Sequence, residues 1–247
     1  MNIKYHIKIE YDGTNFAGWQ YQKNALSIQE ILQKAISKYL RHKTAVIGSG
    51  RTDAGVHAIE QAAHFETKIK IVDFDKFIFA INFHLKKYPI ALTKVEKKNY
   101  LFHARYSVKK KTYKYLIFNR KSSSPLNQNR VWFIRKKLNL AIMIKCLKYL
   151  KGKHDFSTFR ASSCQAKTPV RTISSVSLKK SKDIIEIKFT SQSFLQNQVR
   201  SMVGAIKYVG EKKWTLNKFI KNFNSRKKSN CAPPAPACGL YLEKIKY

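Results

Sequence analysis

Ile3-Lys-Tyr-His-Ile-Lys-Ile-Glu-Tyr11 alternates without a break, with Ile3, Tyr5, Ile7, Ile9 and Tyr11 on one face and Lys4, His6, Lys8 and Glu10 on the other. Extended backbone sends successive side chains to opposite faces, so a period of two marks a half-buried strand. Downstream the period becomes helical. Ser27 and Glu30 have the spacing of a capping box, and Ile28, Ile31, Leu32, Ala35, Ile36, Tyr39 and Leu40 line a single side of a helix. Short apolar segments at 44–47 and 61–67 read as strands. Asp73 caps a second helix carrying Phe74, Phe77, Ile78 and Ile81, and Ile90 to Val95 reads as a further strand. The order is βαββαβ, that of a split βαβ, ferredoxin-like unit.

A second set of elements follows in a related order. A strand is expected at 112–118, a helix at 139–150, strands near 172–178 and 184–190, a helix at 194–209, a short helix from Thr215 to Phe223 and a last strand at 240–245. No sequence repeat accompanies them, so the duplication rests on element order alone. The run Lys109 to Lys111 and the serines 122–124 read as a solvated approach and a turn, because strand signals flank both. The fold class expected is α+β, with two ferredoxin-like halves, residues 1–104 and 105–247, whose antiparallel sheets surround a central basic cleft.

Lys and Arg total 49 against 14 Asp and Glu in 247 residues, a formal charge of +35. That exceeds what solubility requires and points to a polyanionic partner. The basic residues run along the whole chain and are interleaved with 13% aromatics, which suits nucleic acid better than a membrane surface. Part of the excess is attributable to a Lys- and Asn-rich composition. No apolar run approaches the roughly eighteen residues of a membrane span, and the first ten residues read as a strand rather than a leader, so a cytoplasmic location is expected. Cys146, Cys164, Cys231 and Cys238 show neither CxxC pairing nor a His at zinc-ligand spacing, and free buried thiols are expected.

Between the second and third strands lies Gly48-Ser-Gly-Arg-Thr-Asp-Ala-Gly-Val-His57, a Gly-rich loop with an acid close to a base. It fails as a dinucleotide fingerprint, because Asp53 stands where the third glycine is needed, and it lacks the Lys-Ser or Lys-Thr pair of a P-loop. No nucleotide cofactor is implied. On pattern alone, the commoner role of an Asp in a Gly-rich loop is structural, with Asp53 pairing with Arg51 or capping a backbone amide.

The string Arg51 to His57 resembles the signature of the tRNA pseudouridine synthase A family. Other stretches resemble that family in order: Tyr11-Asp-Gly-Thr-Asn-Phe-Ala-Gly-Trp-Gln20, Phe102-His-Ala-Arg105, Lys111-Thr-Tyr-Lys-Tyr115, His154-Asp-Phe-Ser-Thr-Phe159, Phe194-Leu195 with Val199-Arg200, and Gly239-Leu-Tyr-Leu242. The resemblance spans nearly the whole chain. It implies that Asp53 is the catalytic nucleophile, that Tyr113 stacks on the target base, and that Arg51 and Arg200 are the basic residues of the active site in the central cleft. It also implies a homodimer acting on uridines 38, 39 and 40 of the tRNA anticodon arm. Two departures stand out. Gln198 stands where the family commonly has Met, and Phe83-His-Leu-Lys-Lys-Tyr-Pro-Ile90 lacks the usual Leu-Pro-x-Asp-Ile.

The residues suit the reaction that the resemblance implies. Forming pseudouridine breaks the N1 glycosidic bond, turns the uracil and rejoins it through C5, with no net redox change, so neither a metal nor an organic cofactor is demanded. A carboxylate can attack the sugar or the base, or can stabilise positive charge on the ribose. Any of these routes needs an ionised Asp53 shielded from water, which a guanidinium from Arg51 or Arg200 can support. Arg200 lies at the margin of the apolar stripe of its helix. A stem uridine must be extruded to react, and an aromatic such as Tyr113 offsets part of the unstacking. Two other readings compete: a non-catalytic RNA-binding module, and a metal-dependent nuclease using Asp53, His57 and His64. The i, i+7 spacing of those histidines gives no preformed metal geometry.

Overall fold

The computed structural model describes residues 2–247. These residues form two compact units, one running to Lys109 and including Tyr241–Tyr247, the other Lys110–Leu240. Among the described residues, no helix is long and apolar enough to cross a membrane.

The first unit runs β1 (Ile3–Tyr11), α1 (Ile28–Leu40), β2 (Val46–Gly48), β3 (His57–Thr67), α2 (Phe74–Leu85) and β4 (Ile90–Lys98). Its strands lie in the order β4-β1-β3-β2 with antiparallel neighbours, the ferredoxin-like arrangement. The alternation of β1 buries Tyr5, Ile7, Ile9 and Tyr11. Each fully buried aliphatic side chain there contributes about 1.5–3 kcal/mol. β1 and β3 pair Ile7 with Ala63 and Ile9 with Gln61, and the register then shifts before Tyr11 meets Ala58. That irregularity matters for the site, because such shifts re-aim a side chain at a strand end.

The Ser27 hydroxyl accepts the Glu30 N–H, as an N-cap should. The reciprocal half of the capping box does not form, since the Glu30 carboxylate takes Lys34 Nζ at 2.6 Å. Six residues of the expected stripe are buried, whereas Tyr39 remains 38% exposed and meets Phe77 edge-on. Asp73 caps α2 through the Lys76 N–H, and Phe77, Ile81 and Leu85 form its buried face.

The second unit contains β5 (Lys110–Asn119), β6 (Trp132–Ile134), α3 (Leu140–Leu150), β7 (Gly152–Asp155), β8 (Val170–Ser181), β9 (Ile184–Ser191), α4 (Gln198–Gly210) and α5 (Leu216–Asn224). Antiparallel pairing gives β5-β9-β8-β7, and β6 adds to β5 in parallel. β6 and β7 were not expected from the sequence. α4 starts four residues later than its apolar pattern suggests, because Asn197 takes a left-handed backbone (φ 61°) that breaks the helix. Gln198 Oε1 accepts the Leu195 N–H at 2.8 Å. A thioether is only a weak acceptor, so this backbone contact gives the departure at Gln198 a physical reason.

The last strand, β10 (Leu240–Lys246), runs parallel to the start of β3, with Tyr241 opposite His57 and Leu242 opposite Ala58. Its residues from Tyr241 onward thus complete the first unit, a placement that the element order alone did not reveal.

Candidate active site

Residues 49–56 connect β2 to β3. Glycines let this loop turn tightly, and Gly55 adopts φ +75°, which a side-chain-bearing residue rarely takes. Arg51 is exposed, Thr52 buried and Asp53 half-buried. The Asp53 carbonyl accepts the Val56 N–H at 3.2 Å, and the Thr52 carbonyl accepts the Trp19 N–H at 3.1 Å. Gly50 O accepts from Gln61 Nε2 at 3.0 Å. The loop is therefore tied down on both sides of Asp53.

The segment after β1 forms much of that support. A Cβ on Gly13 would stand 2.0 Å from Val56 O, and one on Gly18, whose φ is +99°, would stand 2.5 Å from Thr52 O. A Cβ on Gly48 would strike the Trp19 ring. Phe16 O accepts the Gly55 N–H at 3.3 Å. Beneath these contacts Tyr11 Oη lies 2.8 Å from Thr52 Oγ1, and burial pushes the Tyr11 phenol up, so it stays neutral and keeps its proton. The altered segment at 83–90 joins the same framework, since Pro89 O accepts the Asp12 N–H at 3.0 Å.

His57 serves this framework too. Its Nδ1 lies 3.0 Å from Gly13 N and 3.1 Å from Asp12 Oδ1, and its ring stacks on Tyr241. His64 is buried, with Nδ1 accepting the Ala104 N–H, and burial pulls its imidazole down to about 4. Among the described residues, no group of three or more His, Cys, Asp or Glu could hold a metal ion.

Tyr113 and Arg200 belong to the second unit. Tyr113 sits on β5 opposite Phe189, is 9% exposed and meets the Phe194 ring edge-on with centroids 5.3 Å apart. Arg200, in the first turn of α4, is half-buried, and its guanidinium is aimed by Nε to Ala235 O at 2.8 Å and Nη1 to Asn197 Oδ1 at 3.2 Å. The turn 194–197 thus touches both residues. α4 is buried nearly all round, which makes Arg200 a held side chain rather than a solvated one. Arg51 and Asp53 share one loop of the first unit.

A family model described as tRNA pseudouridine synthase matches residues 7–107 and 146–247. The chain belongs to the tRNA pseudouridine synthase family. It is similar to the tRNA pseudouridine synthase A of Pelagibacter ubique, at 53% identity over 245 residues that cover 99% of this chain and 100% of the relative. The corresponding protein of Ehrlichia ruminantium is 43% identical over 248 residues, covering 99% and 100%, and that of Parvibaculum lavamentivorans 40% over 244 residues, covering 99% of each. As a pseudouridine synthase the chain is an isomerase acting on tRNA.

The family match includes Arg51, Asp53 and Arg200, while Tyr113 falls between its two matched stretches. Sequence reading alone assigned no role to Gly13, Gly18, Trp19 or Gln61. Two glycines and a tryptophan shortly after a strand were a signal of close backbone approach, but their partners, 29 to 44 residues further on, are visible only in the fold.

Proposed function

We propose that this pseudouridine synthase modifies uridines 38, 39 and 40 in the anticodon arm of tRNA, with Asp53 as the nucleophile. The observation that carries this reading is the loop of Asp53, whose flanking peptide groups are hydrogen-bonded on both sides so that the Cα–Cβ bond of Asp53 has a defined direction. Tyr113 stacks on the extruded uracil, its ring braced by Phe194. Arg51 and Arg200 are the basic residues of this reading, which offset negative charge that develops during the reaction. The N1–C1′ bond breaks, the C5–C1′ bond forms, and the C5 hydrogen leaves as a proton. We assign the protein to the cytoplasm, as a homodimer that needs no metal or organic cofactor.

Transcripts in which uridine is kept at one of positions 38, 39 or 40 and replaced at the other two test the site assignment. Purified protein should place pseudouridine at each retained position. Modification confined to another arm of the tRNA would refute the assignment.

The formal charge of +35 predicts docking through many phosphates. Plotted against log salt, log K for tRNA should fall with a slope of about −0.7 to −0.9 per phosphate neutralised. A flat response in a filter-binding titration would contradict electrostatic docking.

A further inference from the structure

We propose that Tyr11, Thr52 and Gln61 form a buried positioning relay that aims the Asp53 carboxylate, so that the hydroxyl contact between Tyr11 and Thr52 is needed for turnover but not for tRNA binding. The proposal rests on the reading of Asp53 as nucleophile.

The three side chains are 3%, 6% and 0% exposed. Their hydrogen bonds have one consistent direction. Gln61 Oε1 accepts the Ala62 N–H at 3.1 Å, which fixes the amide orientation and turns Nε2 toward Gly50 O at 3.0 Å and Tyr11 Oη at 3.4 Å. The phenol oxygen accepts a hydrogen bond from Gln61 Nε2, which leaves its own hydrogen for Thr52 Oγ1, 2.8 Å away.

Thr52 is the residue immediately before Asp53. Its side chain is held by Tyr11 and its carbonyl by Trp19, while the carbonyl of Asp53 is held by Val56. Both peptide planes flanking the Asp53 Cα are therefore fixed, which sets the direction of its Cα–Cβ bond and leaves only side-chain rotation. Phe and Val at positions 11 and 52 would have nearly the same shapes and no desolvation cost. What the hydroxyl pair adds is direction, since buried networks specify a single arrangement when satisfied. The register shift between Ile9 and Tyr11 delivers the phenol to this place.

The test compares Tyr11→Phe, Thr52→Val, Thr52→Ser, the double variant Tyr11→Phe/Thr52→Val and Asp53→Asn. The measurements are single-turnover C5 hydrogen release at saturating enzyme, tRNA Kd and melting temperature. Tyr11→Phe and Thr52→Val should each slow release by roughly ten- to a hundredfold, the scale of an ångström-level misplacement, with Kd within about twofold of the parent. Thr52→Ser, which keeps the hydroxyl, should stay within about threefold, and the double variant should be little slower than the slower single one. Release within twofold of the parent in Tyr11→Phe overturns the relay. So does equal damage from Thr52→Ser and Thr52→Val, a comparison that still decides if Tyr11→Phe fails to fold. An inactive Asp53→Asn beside a fully active Tyr11→Phe sinks the relay alone, whereas parental activity in Asp53→Asn sinks the nucleophile reading beneath it.

Discussion

Asp53→Asn is expected to bind tRNA within about tenfold of the parent, a difference below roughly 1.4 kcal/mol, and to release no hydrogen from uridine C5. Asn keeps the shape and much of the hydrogen-bonding capacity of Asp while removing its charge and nucleophilicity. The loop contacts on either side use backbone groups of residues 50–56 and the Thr52 side chain, so the substitution leaves them in place. Phosphate contacts are made elsewhere and should persist. Hydrogen release reports the chemical step itself, because the reaction must expel the C5 hydrogen when that carbon becomes the glycosidic one. A brace without catalytic function would show the opposite pattern: a lower melting temperature and weaker binding, with a folded fraction that releases hydrogen at a near-parental rate.

Gly18→Ala is expected to reduce single-turnover hydrogen release by at least a hundredfold and to lower the melting temperature by several degrees. At φ +99° an L side chain is strained, at a cost of roughly 1–2 kcal/mol even in the milder left-handed helical region. The new Cβ would also stand 2.5 Å from Thr52 O, 3.1 Å from the Asp53 carbonyl carbon and 3.2 Å from Ala54 N. These atoms are backbone and cannot rotate away. The other side is no freer, since Gly18 O accepts the Ile28 N–H at the start of α1. The nucleophile loop must therefore shift, and a shift near 1 Å costs on the order of 10²-fold in rate. Gly152→Ala is the matched control. Its φ is +113°, but the added Cβ meets only the His154 ring, at 3.3 Å and beyond. It should lose stability while its folded fraction keeps the parental rate. Parental release from Gly18→Ala would mean that the loop tolerates displacement.

Local periodicity carried most of the fold. The alternation from Ile3 to Tyr11 and the Ser27-capped stripe of α1 are signals contained in a dozen residues, and both elements lie where those signals place them. The start of β3 was hidden because His57 and Glu60 look polar. In the fold His57 is buried against Tyr241, and Glu60 pairs with Lys8 at 2.9 Å. β7 has four residues and exists through pairing with β8, which no local pattern announces. Phe194 and Leu195 fit the helical stripe of α4 but precede a left-handed Asn197 that a stripe cannot reveal. At the site, the string around Asp53 was legible as a whole. The parts that hold it, Tyr11, Gly13, Gly18, Trp19 and Gln61, depend on contacts between distant segments, and their geometry became readable only once β1 and β3 were paired.

The most direct test of the central claim is a map of pseudouridines in tRNA from cells lacking this protein, complemented with the parent chain or with Asp53→Asn. Pseudouridine at positions 38, 39 and 40 should vanish in the deletion, return with the parent and stay absent with Asp53→Asn, while the rest of the tRNA keeps its pattern. Persistence of pseudouridine at those positions in the deletion strain, or its restoration by Asp53→Asn, would contradict the account.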